Sequence, residues 1–132
     1  MRLWHYKLLP YLPKSQLIAQ WRELNSIYKK QDKHILINYI YDYDVIELYG
    51  YSKMVIKEME KRGYKIKSFD NYNNLFNQYS FLFYQSKPFK KHHNKEYLEI
   101  CYYNLKEKYL RGQKDFDSET WNKLKEFVES EL

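Results

Sequence analysis

Arg22 and Glu23 stand side by side in the stretch Ser15-Gln16-Leu17-Ile18-Ala19-Gln20-Trp21-Arg22-Glu23-Leu24. A guanidinium next to a carboxylate offers a cation for phosphate and a group for proton or cation work. At 100° per residue, Leu17, Trp21, Leu24 and Tyr28 share a stripe about 60° wide, the mark of an amphipathic helix. Arg22 and Glu23 then fall on the opposite side, about 100° apart, with Ala19 and Ser26 between them. Two small side chains there leave room for a ligand to approach the helix backbone. A merely solvated helix face carries the same pattern.

No other cluster in the sequence competes for chemistry. His92 and His93 are adjacent and cannot readily share one metal ion. There is no Gly-rich phosphate loop, no HExxH and no nucleophile elbow. His5 and His34 read as surface or partly buried histidines, each able to touch phosphate. Cys101 has helical spacing with Leu98 and Leu105, which suits a core position. As a single cysteine it excludes an internal disulfide and fits a reducing, cytoplasmic setting. No metal, cofactor or membrane span is expected, since no apolar run approaches ~18 residues. The opening Met1-Arg2-Leu3-Trp4-His5 is too short and polar for a signal peptide.

The elements that must position the pair follow from periodicity. The 132 residues, 44% hydrophobic and 30% charged, suit one globular domain over residues 1–132. Residues 1–14 read as an arm. Leu8, Leu9 and Leu12 can dock it on the core, and Pro10 and Pro13 forbid a regular helix through it. The first helix runs to about Tyr28, with either Pro13 as its first residue or Ser15 as its cap. Residues 35–43 read as a short extended piece or a loop. A second helix is predicted from Asp44 to Arg62, carried by Val45, Leu48, Tyr49, Ser52, Val55, Ile56 and Met59 and stopped at Gly63. Gly50 within it marks close helix packing. Residues 64–83 read as a linker without periodicity. A third helix is predicted from Asn94 to Arg111 and a fourth from a Ser118 cap, its apolar positions being Trp121, Leu124, Phe127 and Val128. The expected fold is a compact all-α, single-domain helical bundle with the N-terminal arm packed on its core. Trp21 is expected in that core, against Val55, Cys101 or their neighbours.

Charge points to a partner. The net charge is +6, which suits a polyanion. Basic side chains gather after the first helix (Lys29, Lys30, Lys33, His34) and again at Lys87-Pro88-Phe89-Lys90-Lys91-His92-His93. Sixteen tyrosines could stack on exposed bases, or reflect a codon bias toward Tyr, Asn, Lys and Ile.

The segment Leu17-Ile18-Ala19-Gln20-Trp21-Arg22-Glu23-Leu24, with its short apolar lead, resembles the signature of the pyrimidine-dimer DNA glycosylases of the phage endonuclease V type. The likeness runs from Met1 to Lys33-His34 and resumes from Tyr41-Asp42 through Glu58, Lys61-Arg62-Gly63 and Ile66-Lys67. A weaker echo lies at Leu105-Lys106-Glu107-Lys108. The resemblance implies a DNA repair glycosylase with abasic-site lyase activity, acting on double-stranded DNA that carries a damaged or abasic site. It implies the N-terminal α-amine as nucleophile, Glu23 as the carboxylate that stabilises the sugar cation and moves protons, and Arg22 as a DNA contact. An α-amine ordinarily titrates at about 7.7–8.0 and a lysine near 10.4, so only the former has a large neutral fraction at neutral pH. The family removes its initiator methionine and uses a small residue. Here the large Arg2 should retain Met1, which becomes the candidate amine. Ser26 replaces a family basic residue, and an acidic helix replaces an aromatic C-terminal tail.

The expected catalytic residues are therefore Met1, Glu23 and Arg22. Arg2, Gln16, Lys29, Lys30, Lys33, His34, Lys90, Lys91, His92 and His93 are the expected DNA contacts. The alternatives are a non-catalytic nucleic-acid-binding protein on the same scaffold, with Arg22 and Glu23 as a structural ion pair, and a helical module whose acidic last helix binds a protein. Changing Lys29, Lys30 and Lys33 together to Gln should flatten the log-log salt dependence of DNA binding by about three units. Fluorescence anisotropy titrations across a salt series measure that slope, and an unchanged slope removes this patch from the footprint.

Overall fold

The computed structural model describes residues 1–84 and 86–132. Five α-helices follow the arm: α1 (Lys14–Lys30), α2 (Val45–Lys61), α3 (Asp70–Phe76), α4 (Lys95–Leu110) and α5 (Ser118–Glu131). Short 3₁₀ helices occupy Tyr6–Tyr11 and Asn38–Asp42. Among the described residues there is no strand, and the all-α expectation holds. No helix there is long and apolar enough to cross a membrane.

Helix ends follow local chemistry. The Asp44, Asn94 and Asp117 side chains accept from backbone N–H groups in the first turns of α2, α4 and α5. Such acceptors satisfy donors that a helix start cannot pair internally. Asp117, rather than Ser118, is thus the cap of α5. Gly63 and Gly112 take φ of 78° and 84° just past α2 and α4, the left-handed geometry that closes a helix at least cost with glycine. α1 starts differently from both sequence expectations. Pro13 is itself the cap residue, with no side-chain bond. The missing acceptor comes from far along the chain: the Asp115 carboxylate takes the Ser15 N–H at 2.6 Å and the Ser15 hydroxyl at 3.0 Å. Burial alone would raise the Asp115 carboxyl, but these bonds and one from Gln113 hold it below the usual range.

α1 packs on α2 and α3, and α4 packs on α5. The 3₁₀ helix of the arm lies against both α2 and α5, so the arm joins the two groups. Leu3, Leu8, Leu9 and Leu12 are buried beside Leu17, Tyr51, Val55, Leu98, Leu105 and Leu124 in one continuous core. Cys101 is also fully buried there, and burial raises its thiol. Gly50 lies on the buried face of α2.

Two expectations need correction, and one open choice is decided. The segment read as a featureless linker contains α3, whose Tyr72 and Phe76 pack edge-on against Tyr28 at ring separations of 5.9 and 5.4 Å. Residues 38–42 likewise form a 3₁₀ turn rather than an extended piece. Trp21 is only half-buried, and its ring meets Phe69 and Tyr28 rather than Val55 or Cys101. The buried stripe of α1 is Leu17, Gln20, Leu24, Ile27 and Tyr28. It is rotated by about 40° from the stripe that an apolar reading selects, toward Gln20 and away from Trp21.

The buried Gln20 explains that rotation. Its side-chain oxygen accepts from the Trp4 N–H at 2.8 Å and from the Tyr51 hydroxyl at 2.9 Å, and its NH₂ donates to the Arg2 carbonyl at 3.1 Å. The Tyr51 hydroxyl shares that single proton with the Trp4 carbonyl at 2.7 Å, and Tyr97 donates to the Leu3 carbonyl at 2.5 Å. Further along, Arg62 donates to the Leu9, Pro10 and Leu12 carbonyls. Gln20→Leu keeps the bulk but orphans the Trp4 N–H, which should cost about 1–3 kcal/mol. Urea unfolding measures the loss, and amide exchange at Trp4 should rise well beyond the change seen in α4.

Candidate active site

The start of the arm, α1 and α4 enclose a cleft of about 240 Å³. Met1, Arg2 and Trp4 form one wall, and Gln16, Ala19, Gln20 and Glu23 of α1 form another. Asn104 and Lys108 project from α4, and Leu36 completes the lining. A wider cleft of about 320 Å³ lies between the arm and Arg62. Its guanidinium is already committed to Glu58 at 2.8 Å and to three arm carbonyls, which makes it a brace for the arm.

The rotation of α1 decides what the cleft receives. Glu23 comes to the edge of the buried stripe and is half-buried, while Arg22 stays exposed to solvent. No ion pair joins the two among the described residues. Instead the Glu23 carboxylate accepts from the Gln20 NH₂ at 3.1 Å. Burial pushes the Glu23 carboxyl above the usual range, while the Met1 ammonium, the Arg2 backbone N–H, Arg22 and Lys108 pull it back down. The carboxyl is therefore poised by two opposed effects, poor hydration on one side and cations on the other. That arrangement favours a group that gives and takes protons.

The small-residue floor is half realised. Ala19 lines the cleft, but Ser26 turns its hydroxyl to the Asp32 carboxylate. Gln16 also lines the cleft, held by a bond from its NH₂ to Gln113 at 2.9 Å. The Arg2 guanidinium lies 5.8 Å from the Tyr97 ring centroid, a cation–π placement that keeps its bulk along the wall.

The other expected DNA contacts are distributed unequally. Lys29 and Lys30 are exposed at the end of α1, and Lys33 and His34 are exposed just ahead of the turn at residues 35–37 that carries Leu36. Lys90, Lys91 and His92 are exposed on a separate loop, where His92 stacks on Tyr39 at 4.7 Å and meets the Tyr43 hydroxyl at 2.6 Å. None of these three lines the cleft. His93 is not available for DNA at all. It is 4% exposed, accepts from the Tyr6 N–H at 3.2 Å, and pairs with the Tyr39 hydroxyl at 2.6 Å. Burial, with the charges of His5 and His92, depresses it to about 2. His5 is buried as well, and that burial lowers it to about 4. Asn104 and Lys108 were not anticipated as cleft residues. Their i, i+4 spacing puts both on one face of α4, and Lys108 closes the weak echo noted in that helix.

Residues 1–72 match the model of the family described as pyrimidine dimer DNA glycosylase. The chain belongs to that family. No curated protein and no solved structure matches it. The matched span carries Met1, Arg22, Glu23 and Leu36, whereas the Asn104 and Lys108 side of the cleft lies beyond it.

In this glycosylase-family chain the ionised Glu23 is disfavoured by folding. The stability it costs is absent at acid pH, where folded and unfolded carboxyls are both neutral. The cost grows as pH rises from the ordinary value, about 4.3, through the raised folded value. Glu23→Gln should therefore match the wild type near pH 3 and exceed it at pH 7. Urea denaturation at several pH values measures the difference, and a variant less stable at neutral pH would reverse the sign of this electrostatic account.

Proposed function

We propose that this chain is a DNA glycosylase with abasic-site lyase activity, with the Met1 α-amine as nucleophile and Glu23 as the proton-handling carboxylate. The reading rests on one observation: Met1 and Glu23 line the same cleft, close enough for the ammonium to act on the carboxyl. In the proposed sequence, the neutral amine nitrogen bonds to C1′ of the damaged nucleotide. The glycosidic electron pair leaves with the base, which gains a proton. The attached nitrogen loses its proton, the C1′–O4′ bond opens with proton delivery to O4′, and an iminium forms at C1′. Removal of the C2′ proton then expels the 3′ phosphate by β-elimination. Glu23 offsets the positive sugar and relays these protons, a role worth about 10²–10⁴-fold in rate. Reaching C1′ requires the nucleotide or its partner to leave the stack.

The flanking groups have assignable roles in this reading. Arg22, Lys29, Lys30, Lys33 and His34 hold phosphates along the open side of α1. Arg2, Gln16 and Lys108 meet the strand within the cleft. Pyrimidine dimers are the lesion that the family suggests.

Glu23→Gln should lower strand cleavage at an abasic site by about 10²–10⁴-fold while preserving, or tightening, DNA binding. Acetylating the Met1 amine, or placing residues ahead of it, should abolish trapping without unfolding the protein. Borohydride reduction with abasic duplex followed by peptide mass spectrometry should place the cross-link on residue 1. A cross-link at Lys108 or another internal lysine moves the nucleophile, and no cross-link with salt-dependent binding retained leaves a DNA-binding protein.

A further inference from the structure

The turn beside the cleft carries an aliphatic side chain where a soluble surface gains nothing from it. Ile35 is 86% exposed, and its neighbour Leu36 is 39% exposed and borders the cleft that holds Met1 and Glu23. The turn is built rather than loose. The Ile37 and Asn38 N–H groups donate to the His34 carbonyl at 2.8 and 2.9 Å, and the His34 N–H donates to the Asn38 side chain at 2.7 Å. The Leu36 N–H bonds to His34 Nδ1 at 3.1 Å. Ile37, the next inward residue, is fully buried and pins the turn to the core. An isoleucine is thus held out into solvent on a braced turn, one residue from the cleft. Lys33 and His34, both exposed, precede it directly.

We propose that Ile35, backed by Leu36, is a wedge that enters the DNA base stack beside the lesion and fills the space left by the extruded nucleotide. The proposal rests on the glycosylase reading and adds a positioning residue to it. Its occupant follows from the surroundings: an apolar tip directly preceded by the exposed Lys33 and His34 matches a duplex, whose stacked interior is apolar and whose rims are phosphates that an ammonium and an imidazole N–H can meet. Proteins that kink or open duplexes insert Ile, Leu, Phe or Met between base steps in this way. Extrusion costs stacking and pairing, and a side chain that replaces the lost contacts holds the opened state long enough for an amine to reach C1′. Ile35 touches no reacting atom, so its effect belongs to duplex opening alone.

Two substrates and one optical probe separate this role from the chemistry. Ile35→Ala, checked for an unchanged melting temperature, should cut cleavage of an abasic site in duplex DNA by about ten- to fiftyfold, the scale of three buried carbons. Cleavage of the same site in a single-stranded oligonucleotide, where no stack must open, should be unaffected. Ile35→Met should restore most of the duplex activity. In parallel, 2-aminopurine opposite a cleavage-resistant tetrahydrofuran site should brighten with the wild type and stay dim with Ile35→Ala. Equal losses on both substrates, or equal brightening by both proteins, would overturn the wedge. If the wild type neither cleaves nor traps abasic DNA, the catalytic reading fails, and the fluorescence comparison still decides the role of Ile35.

Discussion

A single buried amide, Gln20, makes the rest of the structure possible. The first twelve residues run through the core without a strand or α-helix to pair their backbone. Buried peptide groups must be hydrogen-bonded, so side chains have to serve them. Gln20 takes the Trp4 N–H, reaches the Arg2 carbonyl, and is shared with the Tyr51 hydroxyl that covers the Trp4 carbonyl. Tyr97, His93 and Arg62 complete the task at Leu3, Tyr6 and the residues 9–12. A polar residue on the inward face of α1 is therefore the condition for an ordered arm. The arm in turn brings the chain start to Glu23.

The same amide links architecture to electrostatics. Its NH₂ touches both the Arg2 carbonyl and the Glu23 carboxylate, tying the carboxylate to the arm that carries the amine. Glu23 then loses water to the arm and gains cations from it, and burial prevails. A carboxyl on an open helix face would have neither effect. The family signature places Arg22 beside Glu23 in sequence, yet the helix sends them to different environments: one to solvent, one to the cleft.

Much of this was legible in the residues, and the failures share a cause. α2 and α4 announce themselves because apolar spacing and the glycines that end them agree, and α5 through its apolar spacing alone. α3 is two turns long and rich in Asn and aromatics, too short for a period to emerge; its place depends on Tyr28 and Trp21 needing a cover. Trp21 reads as core and Gln20 goes unnoticed because an apolar scale cannot register a glutamine buried to serve a backbone. His93 misled for the same reason, sitting in a run of cations while its ring turns inward to Tyr6 and Tyr39. The α1 face of the site was readable from Glu23 and its neighbours. The α4 face was not, since Asn104 and Lys108 join the cleft only when distant helices meet.

The arm also sets the order in which the molecule can be completed. Its partners stand far along the chain: Tyr51 is 47 residues from Trp4, His93 is 87 from Tyr6, and Tyr97 is 94 from Leu3. Local helices form early, whereas contacts closing such long loops come late. Gln20, Tyr51 and Arg62 can serve Arg2, Trp4 and residues 9–12 once α1 and α2 exist, whereas the Tyr6 N–H and the Leu3 carbonyl wait for His93 and Tyr97. Until then the arm is covered on its α2 side alone, and its face toward α5 stays open. The cleft is consequently among the last features to exist, assembled from the arm and from a helix that lies about a hundred residues beyond it.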